Sequence, residues 1–200
     1  MRRISVPAGT VLVLVVVGNF SDAQLSRRKA GYSFPSSVES RVGNQQVKLV
    51  LTGSAIRYQR RFQVYAIGSY LQEGVKVRTA KELASSDSPK QLHIVMLRSV
   101  SGAAMADAFE SVFRGNHPAP AFKAEVQRVV EAFRATSVAS GEHIWLTHIP
   151  KQGLECRWGD RKPIRIDNAD FSRAVWDNYL GKVNVGENVK EGLTSRLAGG

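Results

Sequence analysis

The sequence predicts an α+β domain, a mainly antiparallel sheet covered on one face by helices. Three observations carry that reading. Strand-like patterning dominates residues 46–97, helical periodicity takes over from Ser101 to Thr136, and a hairpin-like pair near residues 143–158 precedes a second helical stretch ending near Leu197. No internal repeat, linker or low-complexity segment divides the chain.

Taken in order, Gly31-Tyr32-Ser33-Phe34-Pro35 tucks an aromatic ring before a proline, and residues 46–52 (QVKLVLT) read as a first strand. Residues 56–60 and 62–71 form a strand pair reversing at Tyr58-Gln59-Arg60-Arg61, and Gly68 marks a bulge or a close backbone approach. A polar connection with a helical turn near residues 80–84 leads to the strand at 91–97. Ser101 caps a helix whose apolar positions Met105, Ala108, Phe109, Val112 and Phe113 share one face. Residues 121–136 are amphipathic through Phe122, Val126, Val129, Val130 and Phe133. A hairpin at 143–149 and 153–158 turns around Pro150-Lys151-Gln152-Gly153, and 162–167 adds a short strand. Two helices close the order: 169–180, capped by Asp167 or Asn168 and stopped by Gly181, and 185–197.

The N-terminus carries an address. Arg2 and Arg3 precede the apolar run Val11-Leu12-Val13-Leu14-Val15-Val16-Val17, and Ser21-Asp22-Ala23 offers the small side chains of a cleavage site. That run is far shorter than the ~20 residues that span a bilayer. Residues 1–23 therefore read as a secretory signal, 24–30 as a flexible lead-in and 31–200 as one domain, periplasmic or secreted.

The formal net charge is +11. It suits anionic partners, including peripheral contact with an anionic membrane surface. No basic block with interleaved aromatics points to nucleic acid. Cys156, the one cysteine, excludes an intramolecular disulfide and reads as a buried structural thiol. The four histidines are scattered, and His143 and His148 differ in strand parity, so neither a metal nor another cofactor is implied. Neither a nucleophile elbow nor a phosphate-cradling glycine loop occurs.

What remains is one strand pair. Arg57 follows the apolar Ala55-Ile56, and Tyr65, Ile67 and Ser69 share a parity on the neighbouring strand. A guanidinium fork and a phenol opening toward an apolar, helix-covered face make a receptor for one carboxylate. The ordinary alternative is that Arg57 is a solvated strand arginine.

Three stretches resemble the chalcone isomerase-like family: Gly31-Tyr32-Ser33-Phe34-Pro35; Leu49 to Arg57 followed by Val64-Tyr65-Ala66-Ile67-Gly68-Ser69-Tyr70-Leu71; and Phe171 to Trp176 running through Tyr179-Leu180-Gly181. The resemblance implies an open-faced β-sandwich with a ligand cleft between sheet and helices. It places Arg57 at the family's cleft arginine, Tyr65 where fatty-acid binders carry tyrosine and true isomerases threonine, and Ser172 at a Ser/Thr position of both branches. Met105 and Phe109 join Ile67 and Ser69 as the expected cleft lining. The isomerases' helix tyrosine and asparagine are missing from the segment 101–112. Flavanone formation needs donors on a developing oxyanion, and each critical donor lost costs ~2.7–4 kcal/mol. The reading is therefore closer to the non-catalytic, fatty-acid-binding type: a monomeric binder of an amphipathic carboxylate, with Arg57, Tyr65 and Ser172 on the headgroup. The alternatives are an intramolecular lyase on a phenolic enone, with Arg57 as its catalytic residue, and an envelope scaffold with a vestigial cleft.

Intact-mass measurement of the exported protein should give a chain beginning at Gln24. A membrane-retained, full-length chain would show an anchor instead.

Overall fold

The computed structural model describes residues 32–197, so the expected signal at 1–23 and lead-in at 24–30 lie outside the described residues. Its elements run β1 (Ser37–Val42), β2 (Gln45–Gln59), β3 (Phe62–Gln72), α1 (Ala80–Ser85), β4 (Lys90–Met96), α2 (Gly102–Asn116), α3 (Lys123–Arg134), β5 (His143–Ile149), β6 (Gly153–Trp158), β7 (Ile164–Ile166), α4 (Ala169–Leu180) and α5 (Glu187–Thr194). The strands form one antiparallel meander in sequence order, with the helices on one face.

Two differences from the sequence reading concern the first strands. The stretches 46–52 and 56–60, expected as separate strands, are halves of the single strand β2, whose register with β3 shifts between Leu51 and Gly53. Thr52-Gly53-Ser54 is a bulge within a strand, and bulges bend strands. β1, which was not expected, extends the sheet: SVESRV carries only two apolar side chains and pairs along one edge of β2. Although β1 pairs only with β2, Ser40 Oγ accepts a hydrogen bond from Gln91 Nε2 on β4 at 3.2 Å. The sheet therefore curls.

Curling creates two cores. The larger lies between sheet and helices and includes Ile67, Leu92, Phe113, Phe171, Trp176 and Leu193. The smaller fills the other face with Leu49, Leu51, Ala66, Tyr70 and Phe34. Phe34 explains Gly68: a Cβ there would come within 2.7 Å of the Phe34 ring, so the close approach is side chain on backbone.

α2 and α4 start at the caps the sequence signals, whereas α3 begins at Lys123, two residues later than expected, with no side-chain cap. Ser101 Oγ accepts from Ala104 N–H and Asn168 Oδ1 from Phe171 N–H. α5 is shorter than the expected 185–197, and it is seated directly on the β2 bulge. A Cβ on Gly53 (φ 153°) would meet Gly192 O at 2.1 Å, and one on Gly192 would meet Ser54 O at 2.7 Å. Thr52 Oγ1 lies 2.9 Å from Leu193 O and 3.1 Å from Ser69 O, while Arg196 N–H donates to Thr52 O at 2.9 Å.

A buried polar cluster fastens α4 to the sheet. Ser172 and His148 are fully buried, with Ser172 Oγ 2.8 Å from His148 Nδ1 and Asp87 Oδ1 3.0 Å from His148 Nε2. A carboxylate only accepts, so Nε2 carries the ring proton and Ser172 donates to Nδ1. Arg173 Nη1 and the Lys151 amide also donate to Asp87. Beside this cluster Lys90, fully buried, donates from Nζ to the carbonyls of Leu83 and Ala84 and lies 5.0 Å over the Trp176 ring. Burial and the neighbouring Lys90 charge push the His148 pKa down to about 4, against the opposing pull of Asp87. Cys156 is a buried thiol whose pKa burial raises.

Two outcomes follow from this packing. Replacing Gly192 by alanine gains ~1 kcal/mol of helix propensity, but the added Cβ strikes the backbone of β2, and overpacking of this kind costs ~1–3 kcal/mol. The net expected in urea denaturation is a loss of stability; a gain would show that α5 rides free of the sheet. For His148 the folded-state pKa lies below the unfolded value, so the unfolded state binds more protons between about pH 6.5 and 4. His148 alone should cost ~3 kcal/mol of stability as pH drops through that window. His93, which burial also depresses to about 4, adds to the fall, so His148→Gln should reduce the slope without abolishing it. An unchanged slope in that variant would place its origin elsewhere.

Candidate functional site

A cavity of about 560 Å³ opens between the sheet and α2. Its floor is Val64, Tyr65, Ile94, Met96, Ile144 and Leu146 from β3, β4 and β5. Met105, Ala108 and Phe109 of α2 roof it, and Phe133 of α3 and Tyr179 of α4 close its sides. The α2 stripe thus divides: Phe113 is fully buried in the core, whereas Phe109 and Met105, one and two turns earlier, face the cavity.

The polar groups gather at one end. Arg57 and Gln59 come from the last residues of β2, Arg98 and Ser99 from the loop after β4, and Asn184 from the α4–α5 loop. Arg57 is half-buried and is the cross-strand partner of Tyr65. Its Nη1 donates to the carbonyl of Tyr58, and a Cβ at Gly186 would lie 3.3 Å from it, so the loop backbone passes close beside the guanidinium. No acidic side chain pairs with Arg57 or Arg98 among the described residues.

Tyr65 and Tyr179 supply the other donors. Burial holds the Tyr65 phenol well above its ordinary pKa, with the Arg57 charge pulling the other way. Burial also raises Tyr179, with Tyr65 and Cys156 adding to it. Both phenols therefore stay protonated at neutral pH, and neither is committed to a hydrogen bond among the described residues. Asn178 also lines the cavity, and its Oδ1 is buried without a partner. Protonated phenols and guanidinium groups at the polar end of an apolar pocket form a donor set for one anionic oxygen group, while the Asn178 Oδ1 is an acceptor.

Of the residues expected from sequence, the structure brings Arg57, Tyr65, Met105 and Phe109 together around this cavity. It places the other three elsewhere. Ser172 faces β5 in the His148–Asp87 cluster. Ile67 and Ser69 are fully buried, because α5 packs across Ala55, the cross-strand partner of Ile67, and closes that part of the sheet. Strand parity gave their face correctly and could not give the reach of α5. Sequence reading did not single out Tyr179, Asn178 or Arg98 as site residues. Tyr179 had a usable signal: it lies two helical turns beyond Ser172 on α4, so the face that carries one carries the other. Arg98 had none, since it lies in a loop whose path depends on the curl of the sheet.

The comparisons with known proteins agree with this architecture. A search of curated proteins finds no match. Among solved structures, a crystal structure of a fatty-acid binding protein from Arabidopsis thaliana is similar, with a TM-score of 0.62 at 15% identity, over 83% of this chain and 93% of that one. At that identity the likeness is one of fold. The family model described as chalcone isomerase-like matches residues 26–194, nearly the whole described sheet and helix layer. The curled antiparallel sheet, its helical cover and this match establish that the chain belongs to the chalcone isomerase-like family.

Proposed function

We propose that the protein is an exported, monomeric, non-catalytic binder of a fatty acid or similar amphipathic carboxylate. The observation that carries this reading is the polarity of the cavity: apolar walls along its length, and at one end Arg57 beside the free phenol of Tyr65. Its volume of about 560 Å³ falls within the ~300–1,000 Å³ of small-molecule sites. An alkyl chain buried there gains ~25 cal/mol per Å² of apolar surface removed from water. The carboxylate would take a charge-assisted bond from Arg57 and a second from Tyr65, and Tyr179 adds a further donor near by.

The roof argues for holding rather than transforming. Most of what α2 presents to the cavity, Ala104, Met105, Ala108, Phe109 and Val112, has no proton to give to an oxyanion; its hydroxyls there are Ser111, which is solvent-exposed, and Ser101, which caps the helix. The solved fatty-acid binding protein of the same fold supports the choice of ligand class.

Native mass spectrometry and solvent extraction of the purified protein should release a long-chain carboxylate. Arg57→Ala should weaken binding of a fluorescent fatty acid by ~10–100-fold, the range of a bond to a charged group. The corresponding fatty alcohol should bind wild type and variant alike. Equal retention of the acid by both proteins would overturn the headgroup assignment.

A further inference from the structure

The polar end of the cavity adjoins an unusual piece of surface, the tip of the β2–β3 hairpin. Tyr58 and Phe62 there are 41% and 52% exposed, two of the few large apolar side chains on the outside of the described protein. Arg60, Arg61 and Arg98 are exposed around them, with Arg61 and Arg98 lying 5.6 and 5.3 Å from the Phe62 ring centroid. None of these arginines, nor Arg57, forms an ion pair among the described residues. The sequence excludes local compensation as well: no acidic residue occurs from Ser54 to Gln72, or from Ser88 to Ala106.

The sequence reading found no basic block with interleaved aromatics, yet the turn brings exposed rings and unpaired arginines together in this short tip with Arg98 from another loop, and such a grouping matches a bilayer interface. The rings partition at headgroup level while the guanidinium groups meet anionic lipid. Arg60 takes a left-handed turn conformation (φ 56°), which makes the reversal tight and holds Tyr58 and Phe62 close on either side of it. The hairpin is continuous with the cavity through Arg57, Gln59 and Arg98, which line it. We propose that the Tyr58–Phe62 hairpin tip, with Arg98, docks the protein on an anionic membrane surface with the polar end of its cavity facing the lipid, the source or destination of the carboxylate. This proposal rests on the carboxylate-binding reading above.

The test is co-sedimentation of the full chain with vesicles of phosphatidylcholine alone and of phosphatidylcholine mixed with phosphatidylglycerol. Wild type should bind the anionic vesicles, lose binding as salt rises, and bind phosphatidylcholine weakly. The triple variant R60S/R61S/F62S should lose about tenfold or more of the anionic-vesicle affinity, whereas K123S/R128S, which removes charge from α3, should not. Phe62→Ser alone should also weaken binding; anionic-vesicle binding left unchanged by Phe62→Ser would show a charge contact that does not use the rings and overturn docking through the aromatic tip. Wild-type binding independent of lipid charge, or a triple variant that binds as wild type, would overturn it too. Because Arg60, Arg61 and Phe62 do not line the cavity, the triple variant should keep its fatty-acid affinity in vesicle-free solution. Loss of carboxylate binding in Arg57→Ala is read in that same vesicle-free assay, so failure of the ligand assignment and failure of docking are told apart.

Discussion

The fold depends on the contact between Gly53 and Gly192, where a helix backbone meets a strand backbone with no side chain between them. Strand β2 runs 15 residues, pairs with β1 and β3 and also meets the helical layer. It shifts register with β3 at this point, and α5 occupies the bend. One half of β2 then carries β1 over the outer core, and the other half delivers Arg57 to the polar end of the cavity. Were the bend relaxed, the outer core would lose its cover and Arg57 would lose its position relative to the α4–α5 loop.

Burial then sorts the polar residues into two kinds. Ser172, His148, Asp87 and Lys90 satisfy one another or a carbonyl, and so hold the helical layer in place. Arg57, Arg98, Tyr65 and Tyr179 face the cavity without acidic partners. A Ser–His–Asp sequence of hydrogen bonds looks like a hydrolase site until its solvent access is considered: Ser172 and His148 are fully buried, so no substrate reaches the hydroxyl. The cavity-facing cations without acidic partners are the ones free to meet an anionic ligand.

Much of the architecture was legible in the residues. Period-two and period-3.6 patterning located the major strands and helices, and the caps at Ser101 and Asn168 marked helix starts by ordinary side-chain chemistry. Arg57 and Tyr65 stood out because polar groups of that type are unusual beside an apolar strand face. β1 was hidden because an edge strand with one lightly buried face needs few apolar residues. The unity of β2 was hidden because Thr52-Gly53-Ser54 has turn composition, and only the far end of the chain explains why a turn does not form. Ser69 and Ile67 show the same limit. Parity names a face, whereas what covers that face is a long-range fact.

That clasp also orders events in time. Thr52 and the carbonyl of Leu193 are 141 positions apart in the chain, so an early strand acquires its covering helix only after nearly every other element has been made. Loop closure of that span contributes no stability until it is complete. A chain still incomplete at its C-terminal end can assemble the meander from neighbouring hairpins, yet its β2 bulge stays uncovered and its cavity lacks the α4–α5 rim. A closed cavity should thus be among the last properties the folding chain acquires, which separates the start of folding from the moment at which the pocket can hold anything.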